Sequence, residues 1–208
     1  MIATTPPPAR EGSFKARMHQ QREEALVHAA SRLLGEKGFD AMTVDDVAYA
    51  VGIAKASLYK HFPGKDELCA AAMAHIARRM DAFVRSLDDG RPAIERLWAL
   101  VRRSLELQLD DAMPLLPSRN SSLREPLAAC EDYQSALAAV NQRVLGWIAE
   151  AQASGHLAAG WPAEVVLCAI HARSADPMLE LLQSTGRYAR EEIVERVLVT
   201  CFDGLKAR

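Results

Sequence analysis

Between Thr43 and Lys65 the chain places the Thr43 hydroxyl, the polar-tipped rings of Tyr59 and His61 and three lysines around Ala48, Gly52 and several branched apolar residues. That combination suits binding to DNA. Lys, Tyr, His and Thr donors reach phosphate oxygens, and short polar side chains reach base edges. Residues 44–61 read VDDVAYAVGIAKASLYKH. The order meets the needs of a helix-turn-helix. Two helices that cross closely need a small residue at the contact, and Ala48 is that residue. Four positions later the turn needs a positive φ, which Gly52 supplies without strain. Val47, Val51, Ile53 and Leu58 fall where side chains wedge the helices together. The outward face of the second helix of the pair is then Lys55, Ala56, Ser57, Tyr59, Lys60 and His61, short and basic as a major-groove reader must be.

The flanks carry phosphate chemistry of their own. The Thr43 hydroxyl lies beside the free amides of a helix start, a ready anion site. Lys65 opens the following helix, where a cation opposes the helix dipole, and an arriving phosphate would reverse that penalty. Tyr59 and His61 bracket Lys60 with tips that can reach phosphates. The plainer alternatives are a core position for Tyr59, a helix C-cap for His61 and a three-helix module that merely packs.

Helical elements must hold these residues. Leu26, Ala29, Ala30, Leu33 and Leu34 recur at three- and four-residue spacing, which predicts a helix from about Phe14 to Lys37, closed by Gly38. Thr43 then caps a second helix whose first turn holds Asp45 and Asp46. A third helix is expected from Lys55 to His61, and Pro63-Gly64 breaks the chain. Further helices are expected from Lys65 to about Leu87, Ala93 to Leu109 and Leu127 to Ser154. One more starts at Pro162 and is kinked or split at Pro177, and the last runs from Arg190 to Leu205. No period-two run appears, so the fold class is all-α with about nine helices. The expected organisation is a flexible arm over 1–12, a helix-turn-helix domain over 13–64 and a helical effector-binding and dimerisation domain over 65–208.

Composition agrees and excludes other classes. Half of the residues are hydrophobic, enough for a sizeable core, and no apolar run is long enough to span a bilayer. The start, Met1 to Pro8, lacks a secretory pattern, so a cytoplasmic location is expected. Residues 1–65 hold nine Lys/Arg against seven Asp/Glu, while the remainder holds sixteen against twenty. A slightly basic head on an acidic body fits a DNA reader. Cys69, Cys130, Cys168 and Cys201 lack metal-ligand spacing and read as buried free thiols. His19 with His28, and His156 with His171, also lack ligand spacing. Without a Gly-rich phosphate loop, a nucleophile elbow or a metal cluster, neither an enzyme, a metal site nor a cofactor is expected.

Residues 22–68, REEALVHAASRLLGEKGFDAMTVDDVAYAVGIAKASLYKHFPGKDEL, resemble the N-terminal domain of the TetR family of bacterial repressors. The most specific part, Gly52 to Lys65, is similar to the family's V-S-K-G-T-L-Y-x-H-F-x-x-K signature. The resemblance implies phosphate contacts at Thr43, Tyr59, His61 and Lys65, with Lys55, Ala56, Ser57 and Lys60 nearest the bases. Ala54 stands where the family more often has Ser, and Gly64 where it often has Ser or Asn, so both following helices should lack a side-chain cap.

The resemblance further implies a homodimeric repressor released from a palindromic operator by a small-molecule effector. An activator or a ligand-independent regulator is the other reading. A pocket within helices four to eight is implied, for which Trp98, Arg102, Met113, Leu116, Trp147, His171 and Met178 are candidate lining residues of suitable chemistry. The terminal helices carry a wide apolar stripe of Val165, Val166, Ala169, Leu179, Leu182, Ile193, Val194, Val197, Leu198, Cys201, Phe202 and Leu205. It suits either a dimer seam, as in the family, or core packing within one subunit. Dimerisation also suits DNA geometry, because a two-fold pair doubles the short site that one reading helix can cover.

Overall fold

The helix starts and breakers of the sequence resolve, in a computed structural model, into ten helices among the described residues, which are 10–87, 90–110, 112, 121–174, 176 and 178–204. They are α1 (Arg10–Ala41), α2 (Val44–Val51), α3 (Lys55–Leu58), α4 (Lys65–Ser86), α5 (Ala93–Leu109), α6 (Arg124–Ala129), α7 (Glu131–Ala153), α8 (Ala163–Ser174), α9 (Met178–Ser184) and α10 (Arg190–Asp203). The all-α class stands. Among these residues no helix is long and apolar enough to cross a membrane.

Several boundaries differ from expectation. Helix α1 already contains residues 10–12, which were assigned to a flexible arm; residues 1–9 lie outside the described residues. Its regular stretch ends where expected, after Lys37. Gly38 leaves helical geometry with φ 73 and ψ 172, and one further turn follows, with the Met42 amide bonded to the Gly38 carbonyl at 3.2 Å. The reading helix α3 is shorter than Lys55 to His61. After Leu58 the chain tightens, the amides of Lys60 and His61 donating to carbonyls three residues back at 3.2 and 2.8 Å. The helix expected from Leu127 is broken at Cys130, where ψ of 99 is extended. The Cys130 amide and the Gln134 side chain both donate to the Leu127 carbonyl, at 3.3 and 2.9 Å.

Two apolar cores result. The first joins Leu26, Leu34, Met42, Val47, Leu58, Phe62 and Leu68 to Leu127 and Tyr133. The second joins Val84, Leu97, Leu105, Val144, Trp147, Ile148, Ile170, Leu198 and Phe202. Helices α4 and α7 serve both. The first half of α4, through Ala77, is buried in the first core, and Val84 near its end lies in the second. Tyr133 and Ala136 of α7 belong to the first, whereas Val140 to Ala151 belong to the second. Thus Pro63-Gly64 ends the reading unit in the chain, but the packing division runs through the middle of α4 and α7. The head and the rest of the molecule are tied by two continuous rods, not by a loop.

Candidate nucleic-acid interface

Helix α2 is set by a reciprocal cap. The Asp46 amide donates to Thr43 Oγ1 at 3.1 Å, and the Thr43 amide donates to Asp46 Oδ2 at 2.9 Å. Thr43 Oγ1 also donates to the same carboxylate at 2.7 Å, and Lys37 Nζ donates to its other oxygen at 3.0 Å. Bonds from Thr43, joined by the Lys37 ammonium, bring the Asp46 pKa down to about 2. The far end closes at Gly52 with φ 72 and ψ 34, and the Ile53 amide donates to the Ala48 carbonyl at 3.0 Å. Val47 and Ala48 are buried beneath the crossing, and Leu58 is fully buried from the α3 side. Ala54 and Gly64 give α3 and α4 no side-chain cap, as those residue types imply.

This frame leaves Lys55, Ala56, Tyr59 and Lys60 exposed, with Ser57 and His61 half-buried at the edges. Tyr59 retains 47% of its surface, so it is not a core aromatic. Lys55 Nζ donates to Asp45 Oδ2 at 2.8 Å, and that carboxylate raises the pKa of Lys55. The pair is exposed on both sides, so exchanging the carboxylate for a phosphate or a base edge costs little. Lys65 lies 4.2 Å over the Phe39 ring, which holds its ammonium at the start of α4. His61 Nδ1 is buried without a hydrogen-bond partner, and burial lowers the pKa of this ring.

Tyr49 was not singled out from sequence, yet it is 90% exposed on α2. The available signal was its spacing: four residues after Asp45, it shares the helix face that carries the partner of Lys55. The fold also reveals a group of metal-type donors where sequence spacing gave none. His19, Glu23 and His61 each present one such atom, all within 4.8 Å of one another. The His19–Glu23 spacing was visible in sequence, but its pairing with His61 depends on how α1 packs.

Beyond the head, the predicted lining residues that are described do not share one cavity. Trp147 is 2% exposed in the second core, and Trp98 stacks on Phe202 with ring centroids 5.0 Å apart. Arg102 pairs with Glu195 at the surface. His171 Nε2 lies 2.9 Å from Asn141 Oδ1, and burial lowers its pKa. Met113 and Leu116 lie outside the described residues, as does the side chain of Met178. A cavity of about 910 Å³ instead opens between α1, α4, α6 and α7, walled by His28, His75, Arg78, Cys130 and Asp132 among others, with none of the predicted lining residues.

The apolar stripe of the terminal helices is likewise used inside the subunit. Val166, Leu179, Ile193, Val194, Val197, Leu198, Cys201 and Phe202 are buried in the second core, while Ala169 and Leu182 are half-buried. Only Val165 of the described set is well exposed, at 51%; Leu205 lies outside the described residues. These helices pack their buried apolar residues against α5 and α7, the second of the two uses that the sequence allows for this stripe. Of the thiols, Cys69 and Cys201 are buried as expected, with Cys69 pushed up to about 12 by burial, but Cys168 is exposed.

Residues 26–72 match the family model described as bacterial regulatory proteins, tetR family. The reading head is a tetR-family domain. The HTH-type transcriptional repressor KstR2 of Rhodococcus jostii is 37% identical over 106 residues, 49% of this chain and 48% of that protein. The chain thus spans about half the length of this curated relative. A tetR-family regulator of Agrobacterium tumefaciens shares the fold with a TM-score of 0.69 at 17% identity, covering 91% of this chain and all of that one. The regulator FadR of Bacillus subtilis, solved with stearoyl-CoA, shares it at 0.63 and 17% identity, over 88% of this chain and 98% of its own.

Proposed function

We propose that this protein is a homodimeric transcriptional regulator that represses by binding a palindromic operator and lets go when a small molecule binds. The observation that carries the reading is the exposed face of α3, with Lys55, Ala56, Tyr59 and Lys60 outward over a capped α2 and a buried Leu58. Lys55, Ala56, Ser57 and Lys60 would lie nearest the bases, and Thr43, Tyr59, His61 and Lys65 on the backbone. Tyr49, at the outer face of α2, would join the backbone set. The named relative is a transcriptional repressor.

Release would act through α4. This helix lies in both cores, so a molecule that shifts it tilts the head. The cavity of about 910 Å³ lies directly against it, and the Bacillus subtilis regulator of similar fold was solved with stearoyl-CoA, which supports a ligand-binding role. A tilt would change the spacing of two reading helices away from half-sites about one DNA turn apart. The dimer seam would use the outer surfaces of the terminal helices, where Val165, Cys168 and Val199 are exposed.

The test starts by selecting bound fragments of genomic DNA with the purified protein. Lys55→Ala should then weaken binding to the selected site about 10-fold or more, the scale of ~1–3 kcal/mol for a base contact, and relax one base preference. Tyr59→Phe should weaken all sequences alike. Unchanged affinity in both variants overturns the interface. Sedimentation of a monomer on the selected site overturns the dimer. Retention of DNA under every body-binding compound favours the ligand-independent reading, to which the dispersed positions of Trp98, Arg102, Trp147 and His171 already lend weight.

A further inference from the structure

We infer that His19, Glu23 and His61 form a binding site for a divalent transition-metal ion, of the zinc class, that staples α1 to the end of the reading helix. The three donors come from two segments far apart in sequence and present one ligand atom each within 4.8 Å of the others. His19 and Glu23 lie four residues apart on α1, so they project from one face of the helix. His19 Nδ1 lies 3.7 Å from Glu23 Oε2. The His19 and His61 rings meet edge to face with centroids 4.2 Å apart.

The chemistry of the donor set selects the ion. Two imidazoles and a carboxylate suit zinc and its neighbours, whereas calcium and magnesium prefer oxygen alone. Zinc ligands at about 2.0–2.1 Å in a tetrahedron lie about 3.4 Å from one another. Reaching that size requires the donors to draw together, and two of them are on exposed side chains. His19 and Glu23 expose 56% and 48% of their side chains, so the ion can also enter from solvent. His61 supplies the rigid side. It follows the tightened turn after Leu58, and its buried Nδ1 lacks a hydrogen-bond partner. Three protein ligands leave a fourth position for water.

The staple would join residues some forty positions apart and fix α1 against the segment that presents Tyr59 and Lys60. Its formation requires no DNA and no effector, although it shares His61 with the proposed phosphate contacts, so metal binding is tested on the protein alone.

The experiment uses the full chain, free of any affinity tag and stripped of metal by a chelator. Zn²⁺ is titrated by calorimetry, Co²⁺ by its visible absorption, and melting is followed with and without Zn²⁺. The expected result is one ion per chain and a melting temperature raised by Zn²⁺. His19→Ala and Glu23→Gln, both at exposed positions, should each weaken binding at least 10-fold and abolish the zinc-dependent rise. His28→Ala and His75→Ala alter the other close imidazole pair, whose centroids are 4.4 Å apart, and should leave zinc binding unchanged. Absence of saturable binding overturns the site. So does binding that survives His19→Ala and Glu23→Gln, or that disappears in His28→Ala.

Discussion

The reading head and the helices beyond it use their side chains in opposite ways. In the head, a few apolar residues such as Val47, Ala48 and Leu58 are buried, and the chemistry-bearing residues between Thr43 and Lys65 face outward. Beyond it, most of the large apolar residues that looked functional face inward. Trp147, Phe202 and Val194 are 1–2% exposed and make core. A site built on one short segment reads out locally, because caps and turns fix its orientation. A site shared among faces of long helices does not, because packing chooses which face is covered.

The largest test of that contrast is Phe202→Ala. Phe202 is fully buried and stacks on Trp98, so truncation should cost about 3–5 kcal/mol. If α4 and α7 couple the cores, the loss appears as one cooperative melting transition moved down in temperature. Two separated transitions would show that the head folds by itself.

Thr43→Ala addresses the head. It removes the acceptor for the Asp46 amide and should destabilise by about 1 kcal/mol, since a lost N-cap typically costs that much. Denaturant unfolding measures it. Serine should restore most of the loss, because only the hydroxyl is required.

Acidification separates Asp46 from His171 by pH range. Asp46 is held at about 2 against an ordinary 3.8, so its contribution is complete above pH 3.8 and fades only as pH falls toward 2. His171 has a pKa lowered from 6.5 by burial, so its contribution is full above 6.5 and falls as pH drops through the folded-state value. Burial lowers His61 and His75 in the same direction. The readout is therefore a difference: His171→Gln should lose less melting temperature than the unsubstituted protein between pH 7.5 and pH 5.5. Equal losses would remove His171 from the account.

The smallest effect expected is a gain. Gly64 has extended backbone, and an added Cβ would meet only the flexible carboxylate end of Glu67, at 2.8 Å. Gly64→Ser should move that carboxylate aside and cap α4, stabilising by a few tenths of a kcal/mol in chemical denaturation. A loss would mean that Glu67 cannot yield.

Sequence by itself determined the helical class, the Thr43 cap, the Gly52 turn, the buried contacts of Ala48 and Leu58 and the exposed basic face of α3. Each rests on residues within a few positions of one another, where helix geometry alone sets direction. Tertiary structure decided the rest. It moved the packing division from Pro63-Gly64 into the middle of α4 and α7, turned the stripe from Ile193 to Phe202 inward and brought His61 to His19 and Glu23. Those outcomes depend on which helix meets which face, and the apolar period of a helix records that a face is covered without recording what covers it.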